Sequence, residues 1–130
     1  MKLSVIMPCY NEERRIESAL YFLESQSVKP EVIIVDGGSK DRTVSIIKEH
    51  MKKHKNIKLL KETGKFRSPG NARNIGMKAA TGEAIYLMDV DGRFEEDFVK
   101  KIVKGVEGHP KAIMIRFICD PYPPKKVKSV

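Results

Sequence analysis

Short apolar runs alternate with amphipathic segments along the chain, and this alternation constrains the fold more than any other feature. Residues 3–7 and 32–35 have the length and apolar character of buried strands. Between them, apolar residues recur every three or four positions, which predicts a helix with one buried face. Repeated units of this kind predict an α/β domain with a doubly wound, mainly parallel sheet and helices on both faces. The predicted strands are residues 3–7, 32–35, 57–60, 84–88 and 112–118, and the predicted helices lie around residues 16–23, 44–51, 68–79 and 98–106.

The length and the cysteine content bound the class of protein. A chain of 130 residues is long enough for one domain. We expect residues 1–118 to form it and residues 119–130 to be a flexible, basic and proline-rich tail. No apolar run approaches the roughly 20 residues that a membrane-spanning helix needs. The two cysteines form no CxxC pair, so they favour a reducing, cytoplasmic compartment over a disulfide framework or a zinc site.

The charge of the chain predicts an anionic partner. Lysine and arginine number 25 against 17 acidic residues, which gives a net charge of +8. Nucleic-acid binding lacks support, because aromatic residues are few and no nucleic-acid-binding module is recognisable. We expect the lysines at 125, 126 and 128 to belong to a solvated terminus, and a peripheral contact with the inner face of an anionic membrane is the alternative. The single glutamine and the absence of tryptophan, together with abundant lysine and glutamate, favour a thermophilic source.

Three polar or glycine-rich loops follow predicted strands. They comprise residues 8–13, 36–41 and 89–92, after the first, second and fourth strands. Ligands of doubly wound sheets bind beyond the carboxyl ends of the strands. We therefore expect the three loops to converge on one edge of the sheet and to carry the chemistry.

Asp89 and Asp91 are the strongest candidates for a metal site. Two carboxylates one residue apart, directly after an apolar strand, cannot both be buried without a counter-charge. A divalent cation would supply it, and oxygen ligands suit Mg²⁺ or Mn²⁺. The alternative is an aspartate-rich turn that leads into a helix.

The loop after the second strand has the composition of an anion-binding turn. Gly37 and Gly38 allow a tight turn and a close approach to a ligand. Ser39 or Asp41 could cap the next helix, whose N-terminus favours a negative group. An ordinary strand-to-helix turn with a cap is the alternative.

The loop after the first strand offers an aromatic side chain and a helix cap. Tyr10 could stack on a flat base, and Asn11 is expected to be the N-cap of the first helix. Cys9 is expected to be a small, half-buried residue and not a nucleophile, because no histidine neighbours it in the sequence. His50 and His54 lack the glutamate of a zinc-binding HExxH motif, so we expect them to lie on the surface.

Two arginines flank the start of the third helix. Ser68 is the predicted N-cap and Pro69 the first helical residue. Arg67 or Arg73 could neutralise a diphosphate. Surface salt bridges are the alternative.

Together, the order and spacing of these motifs closely resemble family 2 glycosyltransferases, from about residue 3 to residue 117. The resemblance implies a Rossmann-like GT-A fold, a nucleotide-diphosphate sugar donor, a divalent metal ion (Mn²⁺ or Mg²⁺) and a metal-dependent, inverting transfer of the sugar to an acceptor. The motifs that carry it are Pro8-Cys9-Tyr10-Asn11, Asp36-Gly37-Gly38-Ser39, Ala72-Arg73-Asn74, Thr81-Gly82-Glu83 and Asp89-Val90-Asp91.

The resemblance also implies roles for individual residues. In this family the first motif lies beside the nucleobase, the acid ending the second strand faces the nucleoside, and the Ala-Arg-Asn stretch lines the donor pocket. The first aspartate of the Asp-x-Asp element approaches the ribose, and the last binds the metal. The implied donor-binding residues are Pro8, Tyr10, Asn11, Glu12, Asp36, Gly38, Arg73, Asp89 and Val90, and the implied metal ligands are Asp91 and Asp89.

The sequence departs from the family pattern in two places. Gly37 stands where the family often has a second aspartate, which leaves the base of a UDP- or GDP-linked donor open. The family's general base lies well downstream of the Asp-x-Asp element, and Asp120 comes too early for that role. We therefore expect the catalytic base and the acceptor-binding half to be missing from this chain. An unfinished sheet edge after the fifth strand would make a homodimer reasonable.

Two other functions remain as alternatives. One is a nucleotide-sugar-binding module without catalysis, which sugar transfer or donor hydrolysis would exclude. The other is a phosphatase, because Asp89-Val90-Asp91-Gly92 also resembles the nucleophile loop of haloacid-dehalogenase-type enzymes. That loop normally opens its domain, whereas here it follows the fourth strand.

Overall fold

A computed structural model of the chain describes residues 1–92 and 96–112. The predicted fifth strand, the boundary at residue 118 and the basic tail therefore lie outside the described residues. The elements, in chain order, are β1 (Leu3–Cys9), α1 (Ile16–Glu24), β2 (Glu31–Asp36), α2 (Thr43–Lys53), β3 (Ile57–Lys61), α3 (Pro69–Ala79), β4 (Ala84–Leu87) and α4 (Phe98–Glu107).

The four described strands form one parallel sheet in the order β3-β2-β1-β4. The two strands with continuous apolar sequences, β1 and β2, are neighbours in its centre. The more polar β3 lies at one edge of the described sheet. The alternating pattern of strands and helices therefore predicted the architecture correctly.

Helices cover both faces of the sheet, which confirms the doubly wound arrangement. On one face, Val5 and Met7 of β1 belong to a core cluster that includes residues of α1, α2 and α4. On the other face, Ile6 packs with Ala72 of α3. Gly76 permits the close approach of α3, because a Cβ atom there would clash with the Ile6 side chain.

The parallel register brings the carboxyl ends of the strands to one edge. Cys9 at the end of β1 is paired with Asp36 at the end of β2. The Gly37 amide donates to the Cys9 carbonyl at 2.8 Å, and the Met88 amide after β4 donates to the Ile6 carbonyl at 2.9 Å. The expected convergence of the three loops is confirmed.

The N-cap of α3 is the residue that the sequence indicates, whereas the N-cap position of α2 is Arg42, and the predicted Asp41 bonds the first amide of α2 from the residue before it. Ser68 Oγ accepts a hydrogen bond from the Asn71 amide at 3.0 Å, and Pro69 is the first residue of α3. Asp41 Oδ1 accepts from the Thr43 amide at 2.9 Å, where α2 begins. Each hydrogen bond satisfies an amide that has no partner inside its helix.

His50 is not a surface residue, contrary to the sequence-based expectation. Its side chain is only 10% exposed, and its Nδ1 atom lies 2.5 Å from Glu24 Oε1. The edge of the Tyr21 ring packs against the imidazole at a centroid distance of 5.0 Å. The i, i+4 spacing on α2 does not reveal this, because the two partners come from α1.

None of the helices in the described ranges is long and apolar enough to cross a membrane.

Glu31 is a buried acid at the opposite, amino-terminal edge of the sheet. Its carboxylate accepts hydrogen bonds from Ser4 Oγ at 2.5 Å, Lys58 Nζ at 2.6 Å and the Thr81 amide at 2.9 Å. Desolvation by burial raises the pKa of Glu31, but the hydrogen bonds outweigh it and lower the pKa to about 2. Glu31 thus joins β2 to β1, β3 and the start of β4.

We predict that Glu31→Gln lowers the free energy of unfolding at pH 7 by about 3 kcal/mol. The folded-state pKa lies below the ordinary value of 4.5, so the stabilisation is present above pH 4.5 and is lost as pH falls towards 2. Urea unfolding at several pH values would measure both effects. Glu49→Gln, which removes an exposed partner of Lys52, is the control and should change little. Equal effects of the two substitutions would contradict this role of Glu31.

Candidate donor-binding site

A cleft of about 650 Å³ opens at the carboxyl edge of the sheet. It lies where the loops after β1, β2 and β4 meet the beginning of α3. A volume of this size accommodates a small-molecule ligand. The cleft is lined by Pro8, Cys9, Tyr10, Glu12, Arg15, Gly37, Glu62, Arg67, Ser68, Pro69, Ala72, Arg73, Asp89, Val90 and Asp91.

Most of the predicted site residues line this cleft. Seven of the ten do so: Pro8, Tyr10, Glu12, Arg73, Asp89, Val90 and Asp91. Asp36 and Gly38 line a neighbouring depression of about 580 Å³, and Asn11 lies outside both cavities.

Tyr10 presents an aromatic surface to the cleft. Its side chain is 55% exposed, which is unusual for a large aromatic residue. A Cβ atom added at Gly37 would lie 3.5 Å from Tyr10 Cβ and Cδ2, so the tyrosine packs against the turn after β2. This placement suits stacking against a planar ligand.

The Asp36 carboxylate builds the turn after β2. Its Oδ2 atom accepts from the Gly38 and Ser39 amides, both at 3.0 Å, and its Oδ1 atom accepts from Ser39 Oγ at 2.5 Å. Gly38 has a φ of +93°, a conformation that only glycine adopts readily. The carboxylate therefore organises backbone amides at the carboxyl edge.

Asn11 does not cap α1, and the prediction of an N-cap is wrong. Helix α1 begins at Ile16, five residues after Asn11, and has no side-chain cap. The Asn11 side chain instead accepts from the Lys40 amide at 2.8 Å, while its own amide donates to Ser39 Oγ at 2.8 Å. Its φ of +50° is uncommon for a residue with a side chain. Asn11 thus joins the loop after β1 to the loop after β2.

Glu12 strengthens the same connection. Its amide donates to Thr43 Oγ1 at 2.8 Å, so the loop also contacts the beginning of α2. Hydrogen bonds to the loop after β2 and to the beginning of α2 therefore fix the backbone that carries Tyr10 and Glu12.

Asp89 and Asp91 are exposed, so the premise that burial would demand a cation does not hold. Their side chains are 68% and 67% exposed, while Val90 between them is buried in the core. Asp89 Oδ1 lies 3.0 Å from Arg73 Nη2. Asp91 Oδ2 lies 3.9 Å from Arg15 Nη1. The two arginines supply positive charge, and exposure to solvent screens the repulsion between the carboxylates.

Arg67 lines the cleft at the turn after β2. Its Nη1 atom donates to the Gly37 carbonyl at 3.0 Å. No carboxylate within residues 1–92 and 96–112 lies within 4.0 Å of it, in contrast to Arg15 and Arg73. The guanidinium packs over Gly38, where a Cβ atom would clash with it. Arg67 retains N–H donors for an anionic or carbonyl-bearing ligand.

The cleft is also lined by residues that sequence reasoning missed. Glu62 is buried beside it, follows β3 directly and accepts from the Ser68 amide at 3.1 Å. A charged residue at the carboxyl end of a strand was the signal used for the other loops, and it would have found Glu62. No motif marks Arg15. Cys9 is buried, and not half-buried as expected. Burial and, after it, the nearby Asp36 charge raise the pKa of its thiol, which disfavours the nucleophilic thiolate.

Comparison with known proteins supplies the family. The family model described as Glycosyl transferase family 2 matches residues 4–128. The chain belongs to glycosyl transferase family 2. This membership confirms the resemblance seen in the motifs, and it does not favour the phosphatase alternative.

Relatives of known identity agree with this assignment. Dolichyl-phosphate beta-glucosyltransferase of Homo sapiens is 35% identical over 119 residues, which are 81% of this chain and 36% of that protein. A structure of Staphylococcus aureus TarS in complex with UDP has a TM-score of 0.76 and 32% identity, and the match covers 85% of this chain and 33% of that one.

A mannosyltransferase from Pyrobaculum calidifontis, in complex with GDP-Man and Mn²⁺, has a TM-score of 0.72 and 31% identity. The match covers 81% of this chain and 32% of that one. These likenesses confirm the GT-A fold. The chain spans about a third of the length of these three matched chains, which are 36%, 33% and 32% covered.

We predict that an alanine substitution destabilises the protein at Gly38 and is tolerated at the adjacent Gly37. Gly38→Ala should lower the free energy of unfolding by about 1–2 kcal/mol, because its φ is positive, whereas the flexible Arg67 side chain can move away from the new methyl group. Gly37→Ala should be tolerated, since its Cβ would meet only ordinary contacts at 3.5 Å. Urea unfolding of both variants would measure the difference. Equal destabilisation would contradict the geometry of this turn.

Proposed function

We propose that this chain binds the nucleotide-diphosphate sugar donor, together with a divalent cation, in a glycosyltransferase reaction. The single observation that carries the proposal is the meeting of Tyr10, Arg73 and the Asp89–Asp91 pair in one cleft. An aromatic side chain suits the base, and arginine with a carboxylate-bound cation suits a diphosphate. The UDP and GDP-Man complexes of the two similar structures support this class of ligand.

The carboxylates fit a Mg²⁺ or Mn²⁺ ion of the substrate-bridging kind. Asp89 and Asp91 are exposed at the mouth of the cleft and keep oxygen atoms beyond those that face the arginines. No group of three potential His, Cys, Asp or Glu ligands occurs in the described part of the chain. Mg²⁺ typically uses one or two carboxylates and completes its shell with water and substrate phosphates. Asp91, assisted by Asp89, would hold the ion, whose charge would stabilise the departing diphosphate.

The residues of the cleft would orient the donor for an inverting displacement. The acceptor hydroxyl attacks the anomeric carbon as the bond to the diphosphate oxygen breaks, and a general base takes the hydroxyl proton. Arg73 donates hydrogen bonds to the diphosphate as its negative charge grows. We propose that the base and the acceptor site belong to sequence that this chain lacks, since it spans about a third of its relatives.

Several finer features are part of the same proposal. The donor carries UDP or GDP, and the acceptor is a glycan, a lipid or another molecule. Cytoplasmic localisation, contact of the basic tail with the inner membrane face, a homodimer and a thermophilic source stay predictions from the sequence.

We predict that Mn²⁺ is required for nucleotide binding and that Asp91 mediates this requirement. Calorimetric titration should detect binding of UDP or GDP only with Mn²⁺, and Asp91→Asn should weaken it by at least about tenfold. Asp97→Asn is the control, because Asp97 is exposed and contacts Ser27 away from the cleft. Undiminished binding by Asp91→Asn, or equal loss in the control, would contradict the proposed site.

A non-catalytic nucleotide-sugar-binding module is the second candidate. It would use the same cleft and would differ from the first candidate only in the absence of sugar transfer. Incubation with UDP-glucose or GDP-mannose and Mn²⁺ would separate the candidates. Release of UDP or GDP would exclude the non-catalytic module, whereas binding without release would favour it.

A further inference from the structure

Arg15 is a charged residue of the cleft that neither the motifs nor the proposed function uses. It lies immediately before α1, and its side chain is 57% exposed. The Arg15 amide donates to the Glu12 carbonyl at 2.9 Å, and its carbonyl accepts from the Ala19 amide at 3.1 Å. Its backbone is therefore fixed by the turn into the helix. The exposed guanidinium can change its partner without a change of fold.

The guanidinium lies between two carboxylates of the cleft. Arg15 Nη1 is 3.9 Å from Asp91 Oδ2, and Arg15 Nε is 3.8 Å from Glu12 Oε2. These are ion-pair distances without the short contacts of a bidentate pair. Exposed pairs of this kind contribute little to stability, so the arginine can exchange them for a stronger partner at low cost.

The charge balance of the cleft indicates what that partner is. Among the described lining residues, four carboxylates oppose three guanidinium groups. A diphosphate would therefore enter a cleft with a net negative charge unless a cation came with it. A cation at Asp91 would compete with Arg15 for the same carboxylate and would bring phosphate oxygens close to the released guanidinium.

We propose that Arg15 is a second diphosphate-binding residue, which Asp91 holds in place until the carboxylate is taken by the cation. Arg15 then donates its N–H groups to the diphosphate, for which the planar guanidinium fork is suited. This inference rests on the proposed function. It adds a residue that positions the diphosphate from the start of α1.

Because Arg15 has two partners in turn, its loss should strengthen the binding of Mn²⁺ alone and weaken the binding of the nucleotide. Arg15→Gln removes a positive charge beside Asp91, so Mn²⁺ alone should bind roughly two- to fivefold more tightly. The same substitution removes hydrogen bonds to the diphosphate, so UDP or GDP at saturating Mn²⁺ should bind about tenfold more weakly. Arg15→Lys keeps the charge but loses the fork, and its Mn²⁺ affinity should stay near that of the unsubstituted chain.

Arg14→Gln is the matched control. Arg14 is the adjacent residue, is exposed and does not line the cleft, so its loss changes the net charge of the chain equally. Electron paramagnetic resonance of free Mn²⁺ would measure metal binding without nucleotide, and calorimetry would measure the nucleotides. Arg14→Gln should change each affinity by less than about twofold, because a more distant surface charge is largely screened.

The outcomes distinguish this inference from the proposed function. If the unsubstituted chain binds nucleotide with Mn²⁺ but Arg15→Gln behaves like Arg14→Gln, the inference is overturned and the proposed function stands. The same conclusion holds if Arg15→Gln weakens Mn²⁺ and nucleotide binding together. If the unsubstituted chain binds neither UDP nor GDP with Mn²⁺, both are overturned.

Discussion

The parallel pairing of β1 with β2 is the constraint on which the rest of the described structure depends. Both strands are buried on two faces, so a slip in register would displace apolar side chains on both sides of the sheet. The register opposes Cys9 to Asp36, and the next amide, that of Gly37, bonds to the Cys9 carbonyl. The loop after β1 and the loop after β2 consequently begin at the same edge of the sheet. The pairing of the strands, and not any single motif, therefore places the cleft at this edge of the sheet.

The polar side chains then fix the shape and the charge of the cleft. Asp36 and Asn11 form hydrogen bonds to the backbone of the loop after β2. They therefore stabilise the loops beside the main cleft without lining it. Asp89 and Asp91, in contrast, project from the buried Val90 towards arginines of other elements. Asp36 and Asn11 thus shape the cleft, whereas Asp89 and Asp91 have partners that can exchange. Donor binding in this family member depends, in our account, on that exchange.

Much of the fold and part of the site could be predicted from the sequence. Apolar periodicity predicted the strands and helices because burial on one or two faces leaves a pattern in the sequence. Ser68 was recognisable as a cap because capping is local. The roles of Asn11 and Glu31 were not predictable, because their partners come from strands and loops that are brought near only by the fold. Glu62 was missed for a different reason, since the loop after β3 was not considered.

The central claim is that Mn²⁺ and a nucleotide diphosphate bind together at the carboxyl edge of the sheet. Nuclear magnetic resonance of the nitrogen-15-labelled chain tests it directly, because bound Mn²⁺ broadens nearby amide signals. With UDP or GDP present, the account predicts early broadening at Tyr10, Arg73 and Asp91. Glu31 and Thr81 should be affected last, since they lie at the amino edge, roughly 20 Å away along strands that rise about 3.3 Å per residue. Uniform broadening, or broadening first at the amino edge, would contradict the account.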